Sequence, residues 1–158
     1  MELVMRRWAW GWVVCVAAAC GEDASTPEGV YEGPIHVNAG AAAGGDGSQG
    51  APFRTLDEAF GALPSDSQGE VILAAGTYEL PREAALSGGV ALRGAGRGQS
   101  FLTASQGASW RSDGGLEVLG VTLLGALDLE GDASLSQVEV LGPGSGLVLH
   151  DAGTVVLE

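Results

Sequence analysis

From Val71 onward the chain alternates short apolar runs with glycine-rich breaks. The runs are Val71-Ile72-Leu73, Val90-Ala91-Leu92, Leu116-Glu117-Val118-Leu119 and Leu127-Asp128-Leu129. None is long enough for a helix, and glycine interrupts each, so the pattern predicts short strands joined by tight turns. Pro34-Ile35-His36-Val37-Asn38 predicts one more short strand, and Ala39 to Gly50 a loop of small residues. One segment departs from this pattern. Leu56, Ala59, Phe60 and Leu63 fall at i, i+3, i+4 and i+7, which is one apolar face of a helix. Thr55 and Glu58 have capping-box spacing, in which the threonine oxygen accepts from a free backbone N–H while the glutamate reaches back. Pro64-Ser65-Asp66 is expected to end that helix. The amino-terminal pattern is different again. Trp8 to Ala19 is a run of 12 residues without a charge, behind Met5-Arg6-Arg7. This is the basic start and apolar stretch of a secretory signal. It is too short to span a bilayer, which needs about 20 apolar residues. Glu2 is foreign to such a start, and initiation at Met5 would remove it.

Some of the runs repeat. Val121-Thr122-Leu123-Leu124-Gly125 returns 17 residues later as Val138-Glu139-Val140-Leu141-Gly142, and a further 17 residues bring Val155-Val156-Leu157-Glu158. A looser series comprises Leu116-Glu117-Val118-Leu119-Gly120, Leu127-Asp128-Leu129-Glu130-Gly131 and Leu147-Val148-Leu149-His150-Asp151. Repeats of this length built from strands and turns indicate a solenoid. Each coil would add one strand to a parallel sheet at a spacing of about 4.8 Å. Alternate side chains then point inward, and Glu117, Asp128 and Glu139 face outward. A β-sandwich is the alternative, since short strands and glycine turns suit it as well. The repeat spacing and the scarcity of hairpin turns weigh against it.

Three stretches carry a family resemblance: GDGSQGAPFRTLDEAFGAL, EVILAAGTYEL and GGVALRGAGRGQSFLTA. Together they resemble the start of a right-handed parallel β-helix of the pectin-lyase-like superfamily, over residues 35 to about 125. The resemblance implies an all-β solenoid of about four coils, with a short capping helix near residues 55–63. It also implies polysaccharide as the class of partner. Hydrolases of this fold use clustered aspartates, and glycoside hydrolysis needs two carboxyls within about 10 Å. Lyases of this fold use calcium-binding aspartates and an arginine. Asp113, Asp128, Asp132 and Arg111 supply those residue types, but adjacent aspartates and a Gly-His-Gly motif are absent. These four residues are expected to be solvated turn residues, and no catalytic residue is assigned.

Val16-Ala17-Ala18-Ala19-Cys20-Gly21 resembles the bacterial lipobox, which makes Cys20 the lipid attachment site. Ala17 stands where that pattern usually has leucine. The alternative is an ordinary cut after Ala17-Ala18-Ala19, leaving Cys20 as a free thiol. Of the two cysteines, Cys15 would leave with the signal, so the mature chain can form no internal disulfide. Acyl chains would hold the protein on a membrane, each buried methylene contributing ~0.8 kcal/mol. The expected organisation is a signal peptide at 1–19, a lipidated terminus and flexible tether at 20–33, and a β-helix domain at 34–158. The expected location is outside the cytoplasm, on an outer membrane or cell surface rather than the inner membrane.

Charge narrows the partners. The net charge is −13, and removal of residues 1–19 leaves 19 acidic residues against 5 arginines, a net of −14 with no lysine. Such a surface argues against nucleic acid, whose binding relies on cations. His36 and His150 stand far apart with no zinc-type spacing, so no metal or cofactor is expected. Gly94-Ala95-Gly96-Arg97-Gly98 lacks the lysine of a phosphate loop and is expected to be a coil corner, with Arg93 and Arg97 pairing with outward acids. Asp46-Gly47-Ser48 is expected to be a turn rather than a calcium loop. Val155-Val156-Leu157 stands next to Glu158 with no capping element after it, which predicts self-association through an uncapped coil or a longer protein. The sequence therefore points to a membrane-tethered structural or glycan-binding module. The alternative is the N-terminal fragment of a polysaccharide lyase or glycoside hydrolase, with catalytic residues beyond Glu158.

Overall fold

The computed structural model describes residues 33–63 and 68–150. The expected signal segment, Cys20, nearly all of the expected tether, Pro64-Ser65-Asp66 and Val155-Val156-Leu157 lie outside the described residues. The chain forms a parallel β-solenoid of about four turns with one short helix. In chain order its elements are β1 (Ile35–Val37), α1 (Leu56–Gly61), β2 (Gly69–Leu73), β3 (Gly76–Glu79), β4 (Glu83–Leu86), β5 (Val90–Arg93), β6 (Ser100–Ser112), β7 (Leu116–Leu119), β8 (Thr122–Glu130), β9 (Ala133–Ser136) and β10 (Glu139–His150).

Two parallel sheets wrap the core. One has the order β1-β2-β5-β7-β9. The other has the order β10-β8-β6-β3, with β4 also paired to β6. The long strands β6, β8 and β10 shift register partway, between Ala104 and Ala108 and again between Leu141 and Gly146, and so bend to cover two sides of each coil. A coil thus presents three faces, and each face has its own inward column. On the first, Ile35, Val71, Leu92, Val118 and Leu135 stack in register, all but fully buried. On the second the column is Tyr78, Leu102, Leu123 and Val140. On the third it is Ala84, Trp110, Leu129 and Leu149. Alternation along each strand puts these side chains inside and their neighbours outside. Each fully buried leucine or valine contributes about 1.5–3 kcal/mol.

The helix caps the start of this core. Thr55 Oγ1 accepts from Glu58 N at 3.3 Å, and the Glu58 carboxylate accepts from Thr55 N at 3.0 Å, so the capping box forms as its sequence predicts. Leu56 and Ala59 are buried. Phe60 meets Trp110 edge-to-face, with ring centroids 5.2 Å apart. Trp110 can extend toward the helix because its register partner in the preceding coil is the small Ala84. Its indole N–H donates to Pro81 O at 3.1 Å, which satisfies the one polar atom of the ring. The outer edge of β1 is covered by the loop before the helix. His36 N donates to Gly47 O and His36 O accepts from Phe53 N.

The repeats divide between faces. Thr122 pairs with Glu139, which carries the 17-residue spacing, and Leu127 pairs with Leu147. Leu116–Leu119 does not belong to the Leu127 series. It pairs with Ala133–Ser136 on the first face, whereas Leu127 pairs with Ala108 on the third. Each face requires the same apolar-x-apolar pattern, so similar runs recur within one coil as well as between coils.

Candidate functional site

The outer surface of the β1-β2-β5-β7-β9 sheet carries a groove of about 840 Å³. Its geometry follows from register. Glu70, Ala91, Glu117 and Ser134 are successive Cα partners on β2, β5, β7 and β9, and they form one outward row across four coils. Beside that row runs the corner that leads into each strand, contributing Gln68, Gly89, Gly115 and Asp132 to the lining. The corner is kept narrow by close backbone contact. A Cβ on Gly114 would stand 2.2 Å from the carbonyl carbon of Gly88, so only glycine fits there. Asp113 secures the same corner by accepting from Gly88 N at 2.9 Å.

Charge in the groove is unequal. Glu70 is drawn along the sheet to Arg93, with Oε1 and Nε 2.8 Å apart. Both side chains are well exposed, so the pair contributes at most about 1 kcal/mol. Its effect is positional, since it leaves the Ala91 methyl as a low point between two acidic positions. The Glu117 side chain is exposed and makes no hydrogen bond or ion pair among the described residues. None of the lining residues is aromatic. The groove therefore offers carboxylates, a serine hydroxyl, the Gln68 side-chain amide and small apolar surface. These groups can accept and donate hydrogen bonds to a hydroxylated chain lying across the coils.

A second group lies on the outer surface of the third face. Arg111 and Glu130 are register partners, and Arg111 Nε donates to Glu130 Oε2 at 2.7 Å. Asp128 sits on the same strand as Glu130. Its Oδ1 is shielded from solvent and has no hydrogen bond, and His150 Nε2 lies 3.4 Å from it. Protonated imidazole would form an ion pair there.

The residues singled out in the sequence are thus distributed. Arg111 and Asp128 come together, in strands rather than in the turns expected for them, and Glu130 and His150 join them. His150 does not stand alone, because register places β10 directly against β8. Asp113 and Asp132 sit at the corner beside the groove instead. His36 is half-buried on the outer side of β1. Gly94–Gly98 does form a corner, closed by Gly98 N donating to Thr122 Oγ1 at 2.8 Å. Arg93 pairs with Glu70 as expected, whereas Arg97 makes no ion pair among the described residues. Asp46 closes a turn by accepting from Ser48 N at 2.9 Å, and its hydrogen bonds with the Ser48 side chain and backbone hold the carboxyl below its ordinary range. Among the described residues, no three His, Cys, Asp or Glu side chains gather as a metal site. No fixed sequence spacing links Glu70 with Glu117, because coils of 21 and 26 residues separate the members of this row.

No protein-family profile matches the chain, and neither a curated protein nor a solved structure gives a match.

Proposed function

We propose that this chain is an exported lipoprotein whose pectin-lyase-like solenoid is tethered to a membrane through Cys20 and binds glycan without turning it over. The groove over β2, β5, β7 and β9 is the observation that carries the binding reading. It is open, crosses four coils, and presents hydrogen-bonding groups from a rigid sheet. A sugar polymer is an extended chain of hydroxyls, and a straight groove of repeated strand positions suits it. The tether reading rests on the apolar run Trp8–Ala19 and on Ala17-Ala18-Ala19-Cys20. Titration of oligosaccharides into the 15N-labelled mature chain tests the binding. The amides of Ala91, Glu117 and Ser134 should shift together. Shifts confined to other faces would contradict this site.

A catalytic reading has one observation in its favour, the grouping of Arg111, Asp128, Glu130 and His150 on the third face. Release of reducing ends or of unsaturated products from polysaccharide, with and without calcium, would establish it. The binding reading expects neither product.

A further inference from the structure

We infer that the groove selects its glycan by charge, favouring amine-bearing sugar polymers and rejecting polyuronates. This rests on the glycan-binding reading of the same groove and adds the ligand class. Glu70, Glu117 and Asp132 enter the lining, and Arg93 is its one cation. Arg93 Nε is already held by Glu70 at 2.8 Å. A carboxylate ligand is ordinarily recognised by the two parallel donors of an arginine. Here Glu70 takes the Nε donor and offsets the charge of that arginine, so what is left of the groove's charge, from Glu117 and Asp132, is negative.

A polyuronate laid across the coils would bring its carboxylates beside Glu117, and the one cation of the groove, Arg93, is already offset by Glu70. Like charges placed together in this way suppress wrong partners. The wider field acts in the same direction. The chain has no lysine and a net charge of −13, and Arg111 on the third face is taken up by Glu130. A protonated sugar amine reverses each of these terms. It carries up to three N–H donors, and Glu117 has acceptor oxygens without a partner among the described residues. Clefts lined by one sign of charge also concentrate ligands of the opposite sign and speed their arrival, in a way that salt weakens.

The test compares three probes on the mature chain: a glucosamine hexamer, its N-acetylated form and a galacturonate hexamer, each titrated at low and high salt. Glucosamine should bind most tightly and lose most affinity with salt, the N-acetylated form should bind more weakly with little salt dependence, and galacturonate should not bind. Glu117→Gln should weaken glucosamine binding about fivefold and leave the N-acetylated form unchanged, as expected for loss of one partly screened charge contact. Glu139→Gln removes the same charge from an exposed site on another face and should have little effect. Galacturonate binding as tight as glucosamine, equal binding of all three probes, or equal effects of the two variants would overturn the inference while leaving glycan binding intact. Binding by none of the three would overturn the glycan-binding reading itself, and the inference with it.

Discussion

Trp110 joins more parts of this molecule than any other side chain described above. It fills the third inward column, reaches past Ala84 to Phe60 of the capping helix, and donates to Pro81 O. With residues 1–19 removed it is also the only tryptophan, so its fluorescence reports on the core alone. Trp110→Ala should lower stability by about 3–5 kcal/mol, read from the urea midpoint. Trp110→Phe should lose less, because the ring volume is largely kept while the Pro81 carbonyl loses its donor. Gly131 tests the backbone instead. Its φ is +100°, and a Cβ there would lie 2.1 Å from Ser112 O. Gly131→Ala should therefore cost at least about 1–3 kcal/mol from backbone strain. A loss below about 0.5 kcal/mol would contradict the corner geometry. Neither role was legible beforehand. A lone tryptophan between Ser109 and Arg111 has no periodicity, and its inward direction is fixed only once the strand is in register.

The capping helix was legible almost in full. Thr55, Glu58 and the face of Leu56, Ala59 and Phe60 are local features, set by the 3.6-residue period and by side chains three positions apart, whereas the helix stops at Gly61 with Ala62 as its C-cap, so Leu63 packs against the core from beyond the helix that was expected to include it. Thr55→Ala should cost about 1 kcal/mol in urea unfolding, with an upper limit near 2. Glu58 makes this element pH-sensitive. Hydrogen bonds from the Thr55 backbone first, then from the Thr55 side chain and the Arg54 backbone, hold its carboxyl below the ordinary 4.5. A group lowered on folding contributes its stability in full above the ordinary value and loses it as pH falls through the folded one. The gap in stability between wild type and Glu58→Ala should therefore be widest near neutrality and close below pH 4.5. A gap that is constant with pH would contradict the charged cap. The strands were legible as strands, and the 17-residue spacing did identify true partners in Thr122 and Glu139. Their assignment to faces was not legible. Coil length varies from 17 to 36 residues on the first face, and every face uses the same apolar alternation. A fixed period therefore aligns some runs correctly and joins others, such as Leu116 and Leu127, that belong to different sides.

At the scale of the whole molecule, a three-faced solenoid makes one side of each coil a repeated surface, so a row of outward residues becomes a groove. That property depends on residues more than 20 positions apart coming into register, as Glu70, Ala91 and Glu117 do. Composition had supplied only the sign of the charge. At the far end, Val140, Leu141 and Val148 on β10 are 40–49% exposed, and Val140 continues the inward column of Leu123. The proposed attachment of the solenoid to a membrane through Cys20 has a direct test. The direct measurement is mass spectrometry of the protein extracted from membranes with detergent. Digestion after arginine should release an N-terminal peptide running from Cys20 to Arg54, heavier than its sequence by the mass of attached acyl chains. The same peptide without lipid, or a terminus that retains residues before Cys20, would contradict the tether.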